Sequence, residues 1–223
     1  MNDLLNHFDQ EAASYPIHTG LDYIQTRKWA LIETYAPGHG VVADIGAATG
    51  RHALQLADQQ LTVIAVDPSE QMLRELDQHG QERDLLEAVH TCAAALPDLP
   101  FRDNSFDLIY CFSTLLLLPP AAQADALAAM AHALRPRGIL IVDVASARSL
   151  AIHYWHRHYR RRGLGGVFGQ SGQNTLRMIE ANGLEVIHQE PHGVLSQFLL
   201  FPGLDKIPGL VRRVRGGPTR PGW

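Results

Sequence analysis

The stretch Val41-Val-Ala-Asp-Ile-Gly-Ala-Ala-Thr-Gly50, followed by Leu61-Thr-Val-Ile-Ala-Val-Asp67, decides the fold. Val41, Val42 and Ile45 read as a buried strand, and Gly46 and Gly50 let the backbone turn tightly and sit close to a ligand. The second apolar run ends on Asp67, about 20 residues after Gly46, the spacing at which an acid meets ribose hydroxyls. The order strand, glycine turn, helix, strand, acid predicts a nucleotide-type cofactor site at the ends of neighbouring strands.

Outward from this stretch, apolar runs bounded by turn residues alternate with segments of helical spacing. Strands are expected over residues 41–45, 63–66, 86–91, 106–111, 139–144 and 184–188. Helical spacing occupies residues 51–59, 69–78, 121–134 and 173–182, with Ser69 as an N-cap, Pro119-Pro120 opening a helix, and Gly138 and Gly183 closing two. Such alternation predicts an α/β domain: a doubly wound, mostly parallel sheet with helices on both faces, in three α/β/α layers. Residues 1–38 form a helical cap that ends in Ala36-Pro-Gly-His-Gly40, and no internal repeat is present. After Phe201 the breakers Pro202-Gly, Pro208-Gly, Gly216-Gly-Pro and Pro221-Gly predict an irregular basic tail over residues 202–223.

Composition narrows the function. The 223 residues are 46% hydrophobic and 19% charged, with a formal net charge of −4, which gives no global drive toward nucleic acid. Length suits one α/β domain with a small appendage. The start has acids where an export signal would carry a basic region, and the most apolar window, residues 115–118, stops at Pro119. The two cysteines, Cys92 and Cys111, fall at strand ends rather than in a spaced framework, so reduced thiols and a cytoplasmic, soluble protein are expected.

Dinucleotides and S-adenosylmethionine (SAM) are the two cofactor classes that use a glycine turn with an acid one strand later. A dinucleotide fingerprint needs further glycines where this chain has Ala48 and Arg51. The Gly-x-x-Thr-Gly spacing, preceded by Asp44, better suits a zwitterionic amino-acid moiety, whose ammonium Asp44 would answer directly or through water.

The block from Val41 to His52 resembles motif I of the class I SAM-dependent methyltransferases. Val66-Asp-Pro-Ser-Glu-Gln-Met-Leu73 is similar to their ribose-binding segment. Ala95-Leu-Pro with Phe101-Arg-Asp-Asn-Ser-Phe-Asp-Leu-Ile109 resembles the run into the fourth strand, and Ala133-Leu-Arg-Pro-Arg-Gly-Ile-Leu-Ile-Val142 the turn into the fifth. The resemblance covers residues 41–145 and implies a seven-stranded Rossmann-like sheet, for whose last strand only residues 194–201 offer a counterpart. It implies a SAM-binding domain over residues 39–201, with a substrate-cap insertion at 146–172.

Asp67 would then hold both ribose hydroxyls, in a segment that includes Pro68 and Met72. Gly46, Ala47, Ala48 and Gly50 would border the methionine part; Cys92, Ala93 and Ala94 would frame adenine; and Phe112 and Ser113 would pass beneath the sulfonium. Family members often have glycine at the place of Ala48 and an acid at the place of Cys92. The Ala48 methyl narrows ligand approach, and Cys92 offers only a weak acceptor, leaving backbone groups to read the adenine edge.

The implied activity is methyl transfer from SAM to a small-molecule acceptor by in-line displacement, leaving S-adenosylhomocysteine. The block pattern is similar to quinone-biosynthesis methyltransferases. Cys111-Phe-Ser-Thr-Leu stands where an Asn-Pro-Pro-Tyr motif would mark amide or base nitrogens, so O- or C-methylation is favoured. The rival reading is a regulatory or assembly protein that binds SAM or S-adenosylhomocysteine without transfer, and a nicotinamide oxidoreductase ranks behind both. No catalytic residue is fixed; His153 and Tyr15 are the candidates for a base.

His18 joins Tyr15 as a residue of the cap that would cover the cofactor or face substrate. His52 and His132 read as packing residues, and the cysteines as small buried hydrophobes. Of His153, His156 and His158 only the first two share a helical face, and no carboxylate is near them, so no metal is expected. The aromatic and arginine-rich run 152–162 reads first as a solvated amphipathic helix, and otherwise as a cap gripping phosphate, carboxylate or an anionic membrane surface. The apolar runs 115–118 and 198–201 allow an aromatic or lipid-like acceptor, core packing being the plainer reading.

Overall fold

The computed structural model describes residues 2–15 and 22–190; expectations placed on His18, on residues 191–201 and on the tail lie outside the described residues. The chain opens with α1 (Asn2–Glu11), a 3-10 turn (Ala12–Ser14) and α2 (Asp22–Tyr35). The repeating part then runs β1 (Val41–Ile45), α3 (Arg51–Ala57), β2 (Thr62–Asp67), α4 (Glu70–Glu82), β3 (Val89–Ala93) and β4 (Phe106–Cys111). It continues with a 3-10 turn (Leu115–Leu117), α5 (Pro120–Ala133), β5 (Leu134–Val142), α6 (Leu150–Arg161) and α7 (Gly172–Ala181). Serines set three helix starts: Ser69, Ser149 and Ser171 each accept a hydrogen bond from the backbone N–H three residues on.

The five strands form one parallel sheet in the order β3-β2-β1-β4-β5. From β1 the chain winds outward through β2 and β3, then returns to add β4 on the opposite side of β1. That reversal opens a crevice at the carboxyl ends of β1 and β4, where a doubly wound sheet takes its ligand. Register gathers the chemistry there: Ile45 pairs with Val66, Asp67 with Ala93, and Asp44 with Tyr110.

Strand alternation sorts side chains onto two cores. Val42, Leu108 and Tyr110 pack with Ile32, Ala53, Leu56 and Leu76 on the face covered by α2, α3 and α4. Ala43, Ile45, Ile109 and Cys111 pack with Leu127, Met130 and Met178 on the face covered by α5 and α7. Each fully buried aliphatic side chain contributes about 1.5–3 kcal/mol, which is why strands buried on both sides read as unbroken apolar runs.

The described residues hold five strands, and residues 194–201, the counterpart expected for a seventh, lie outside them. Three expectations are corrected, the first being that residues 184–188 are not a strand. Leu184 packs against the second core, but Val186 and Ile187 are 40% and 61% exposed, so the alternation does not follow a buried face. The third strand lies at Val89–Ala93 rather than 86–91, because a turn consumes the exposed Leu86. β5 begins at Leu134, earlier than expected, and absorbs Arg137 at φ 69° through an irregularity opposite Phe106 and Leu108.

Candidate functional site

The loop after β1 is shaped by close approach. Gly46 has φ +80°, and a Cβ on it would sit 1.9 Å from the Thr114 Oγ1. Gly50 has φ +85°, and a Cβ there would meet Leu76 at 2.5 Å. Both glycines are thus required by the protein's own packing as well as by the turn. The Gly46 and Ala47 N–H groups donate to Val66 O at 2.8 and 3.0 Å, which binds the turn to β2. Ala48 itself adopts φ 46°.

Asp67 ends β2 with its carboxylate locked in one plane. The Ala48 N–H donates to one oxygen and the Ser69 N–H to the other, each at 2.9 Å. A carboxylate offers about four lone-pair sites, so one on each oxygen remains for a pair of vicinal hydroxyls. Burial pushes the Asp67 pKa up, against the lowering effect of the two N–H donors. The strand pairing places Cys92 and Ala93 beside Val66 and Asp67, and Ala94 N–H donates to Asp67 O at 3.3 Å. The residues expected to frame adenine therefore flank the residue expected to hold ribose.

The N-terminal cap closes over this edge. Ser69 Oγ donates to Asp9 Oδ1 at 2.5 Å while accepting from Met72 N–H at 3.1 Å, which docks α1 on the start of α4. Tyr15 is raised above the usual phenol range by burial and by the neighbouring Tyr159 and Asp67. Asp67 is only 9% exposed. A hollow of about 810 Å³ lies elsewhere, along β3 and α4, lined by Arg74, Asp77, Leu86 and His90 among others. At the β1–β2 edge the described cap residues contribute Asp9, bonded to Ser69, and Tyr15, near enough to Asp67 to feel its charge.

Beneath it, Asp44 is buried on the face toward α2 and α3. Burial, reinforced by Asp67, pushes its pKa up to about 7 against the lowering effects of Tyr110, the Ala53 backbone and Lys28. The Tyr110 hydroxyl, beside Asp44, has no hydrogen bond of good geometry, and its pKa is driven far up by burial and then by that carboxylate. His52 completes the cluster: its ring stacks on Trp29 at 6.1 Å and meets Tyr110 and Phe112 edge-on at 6.3 and 5.9 Å. Its Nδ1 has no partner, and burial with Lys28 and Arg51 lowers its pKa to about 4, so the ring is neutral at pH 7. A carboxyl poised near neutrality beside an unpartnered hydroxyl fits a ligand ammonium.

At the end of β4 a second polar knot appears. Lys28 of α2 reaches across the crevice, donating to Ser113 Oγ at 2.8 Å and pairing with Asp143 Oδ2 at 2.8 Å, with its ammonium 4.9 Å from the Phe112 ring centroid. Asp143 in turn accepts from Ser113 N–H at 2.7 Å, which helps hold Ser113 at φ 57°.

The structure brings together Asp44, Gly46, Ala47, Ala48, Gly50, Asp67, Cys92, Ala93, Ala94, Phe112 and Ser113 around the carboxyl ends of β1, β2 and β4. Pro68 is exposed, whereas Met72 is buried and meets the site only through its N–H. His153 is exposed on α6 with Nδ1 2.8 Å from Ser149 O; it is Tyr159 that approaches Tyr15. His156 Nδ1 lies 2.7 Å from Val167 O, and His158 stacks on Tyr154. Both thiols are free and held protonated by burial. Leu115 is core. The sequence reading passed over Lys28, Tyr110 and Asp143. Asp143 carried a readable signal, an acid ending a strand as Asp67 does; Lys28 carried none, being one cation in a helix of mixed character.

Comparison with known proteins agrees with this geometry. A family described as a methyltransferase domain matches residues 42–138. A demethylmenaquinone methyltransferase of Renibacterium salmoninarum is 30% identical over 173 residues, which cover 75% of this chain and 69% of that protein. Among solved structures, the magnesium protoporphyrin IX methyltransferase of Synechocystis PCC 6803 with bound SAM is similar at a TM-score of 0.60, with 18% identity over 77% of this chain and 72% of that one. The [4+2]-cyclase SpnF is similar at 0.62, with 24% identity over 74% of this chain, which spans only 58% of the cyclase. No helix among the described residues is long and apolar enough to cross a membrane. The parallel sheet, the glycine turn with its following acid, and the 30% identical relative together establish that the chain belongs to the class I SAM-dependent methyltransferase family.

Proposed function

We propose that the protein transfers the methyl group of SAM to a small-molecule acceptor by direct in-line displacement, at oxygen or carbon. The observation that carries this reading is the Asp67 carboxylate at the end of β2, fixed by one backbone N–H on each oxygen, which leaves lone-pair capacity on both. In this reading Asp67 takes the ribose hydroxyls and the strand ends at Cys92, Ala93 and Ala94 take adenine. The Gly46–Gly50 turn borders the methionine chain, Asp44 answers its ammonium, and Phe112 and Ser113 underlie the sulfonium. When bound, SAM supplies an already activated electrophilic methyl.

The protein's part is then mainly positioning, worth on the order of 7–11 kcal/mol in favourable cases. Lys28 and Asp143 hold the strand-end segment that faces the acceptor, and the cap over Asp67 excludes water from the reacting centre. In this reading the cofactor passes the edge where α1 docks on α4 through Ser69 and Asp9. The likeness to a menaquinone-pathway enzyme by name supports an aromatic or lipid-like acceptor.

The test is turnover. Protein incubated with SAM carrying a labelled methyl and a metabolite extract yields a labelled small molecule and S-adenosylhomocysteine, and at SAM below saturation Asp67→Ala lowers the labelling at least tenfold. Tight SAM binding with no labelled product from any extract would favour the second reading, a SAM-binding regulatory or assembly protein. That reading draws on Ala48 and Cys92, where the family often differs.

A further inference from the structure

We infer that the outer face of α6 is a docking surface for an anionic lipid bilayer, set beside the mouth of the cofactor site; the inference rests on the proposed methyl transfer only for its purpose, not for its evidence. Between Asp143 and Glu180 the chain has no carboxylate and six arginines, although the chain as a whole is net negative. Four of these, Arg157, Arg160, Arg161 and Arg162, cluster at the end of α6, all exposed. None of the four forms an ion pair with a carboxylate among the described residues, unlike Arg74, Arg83 and Arg135 elsewhere on the surface.

Helical spacing arranges the face. Leu150, Tyr154, Arg157 and Arg161 follow one another at intervals of three and four residues and so form a single stripe, flanked by His153 and Arg160. Leu150 is 75% exposed, an unusual position for a leucine at a helix start, and Ala151 alone in α6 is buried. Tyr154 and His158 stack at 6.2 Å, which presents a flat aromatic pair at the edge of the cationic stripe. Arginines over lipid phosphates, with tyrosine and leucine at headgroup depth, are the chemistry of a helix lying in an interface. Nucleic acid asks for a broader positive face than one helix of about 18 Å provides.

Placement gives the surface a use. Glu11 and Arg162 both influence Tyr159 on the inward side of α6, and Tyr159 approaches Tyr15, which lies against Asp67. A bilayer seated on α6 would therefore lie close to the cap that covers the cofactor edge, where an acceptor dissolved in the bilayer could be taken up.

The test uses the full chain and vesicles, with no acceptor required. Co-sedimentation is measured with phosphatidylcholine vesicles and with vesicles containing about one third phosphatidylglycerol, at low and high salt. The protein is expected to bind the anionic vesicles alone, and less at high salt. Each arginine contributes roughly fivefold, so Arg157→Gln/Arg160→Gln/Arg161→Gln should weaken binding on the order of a hundredfold. Arg74→Gln/Arg83→Gln, on α4 and at its C-terminal cap, should leave it unchanged. Calorimetry with S-adenosylhomocysteine on each variant reports an intact fold and cofactor site. Absence of vesicle binding, equal binding to neutral vesicles, binding indifferent to the triple substitution, or capture by single-stranded RNA in preference to vesicles would each overturn the inference. If vesicle binding fails while cofactor binding persists, the methyltransferase reading stands without it; if cofactor binding fails in the unaltered chain, that reading falls instead.

Discussion

Lys28 and Asp143, separated by most of the domain in sequence, form a 2.8 Å ion pair that ties the N-terminal α2 to the end of β5. The lysine side chain is 6% exposed and that of Asp143 28%. Through Ser113 the pair also sets the backbone after β4, so the cap helix and the acceptor side of the crevice are one mechanical unit.

Breaking a buried pair from one side leaves an uncompensated charge, which costs about 3–5 kcal/mol. Lys28→Met is expected to fall at about 3 kcal/mol, because Asp143 retains some contact with water. Urea denaturation checks this. Asp143→Asn added to Lys28→Met should cost little more, and additive losses would show that the two residues are not coupled.

Asp44 makes both stability and cofactor affinity depend on pH. Its folded pKa, about 7, exceeds the ordinary aspartate value of 3.8, so the folded state holds the proton more tightly than the unfolded chain does. That contribution is complete below about pH 4 and is lost as pH rises through about 7. His52 acts oppositely: lowered from 6.5 to about 4, it withdraws stability as pH falls through that window. Denaturation at pH 5 and pH 8 should therefore show Asp44→Asn removing the alkaline loss and leaving the acid loss. If Asp44 meets the ammonium of SAM, affinity rises with pH through 7 and binding releases a proton; calorimetry in buffers of different ionisation enthalpy reads that release directly.

Gly46→Ala meets two obstacles, the Thr114 Oγ1 at 1.9 Å and φ +80°. Thr114→Ala removes the first and leaves the second, whose cost is roughly 1–2 kcal/mol. Thermal unfolding of the single and double variants should show partial rescue. Full rescue would mean that the left-handed backbone carries no strain.

The cap should control exchange rather than affinity. Asp9→Ala removes the carboxylate that accepts from Ser69 Oγ and loosens α1 from α4. Cofactor association and dissociation, followed by stopped-flow fluorescence, should both accelerate several-fold. Unchanged rates would place the barrier elsewhere.

The glycine turn, Asp67 and the inner strands were legible in the sequence because their requirements are local: two residues at positive φ, an acid at a strand end, and runs buried on both faces. The rest depended on what lies across space. Residues 184–188 alternate like a strand yet pair with no strand among the described residues, so their pattern carried no register. Lys28 acquires its role only when β4 and β5 bring Ser113 and Asp143 under α2. Even the glycines, read as making room for a ligand, prove to make room for Thr114 and Leu76 as well. The cap and its Tyr15 were anticipated, but the tie that docks α1 was not, since it arises from one serine hydroxyl that caps α4 and binds Asp9 at once.

The central claim is that Asp67 holds the sugar of SAM, and a calorimetric titration of SAM into the unaltered protein and Asp67→Ala tests it most directly. A charge-assisted hydrogen bond contributes about 1.5–3 kcal/mol, so at least a tenfold loss of affinity is expected. Equal affinity in the two proteins, with the variant folded, would contradict the account.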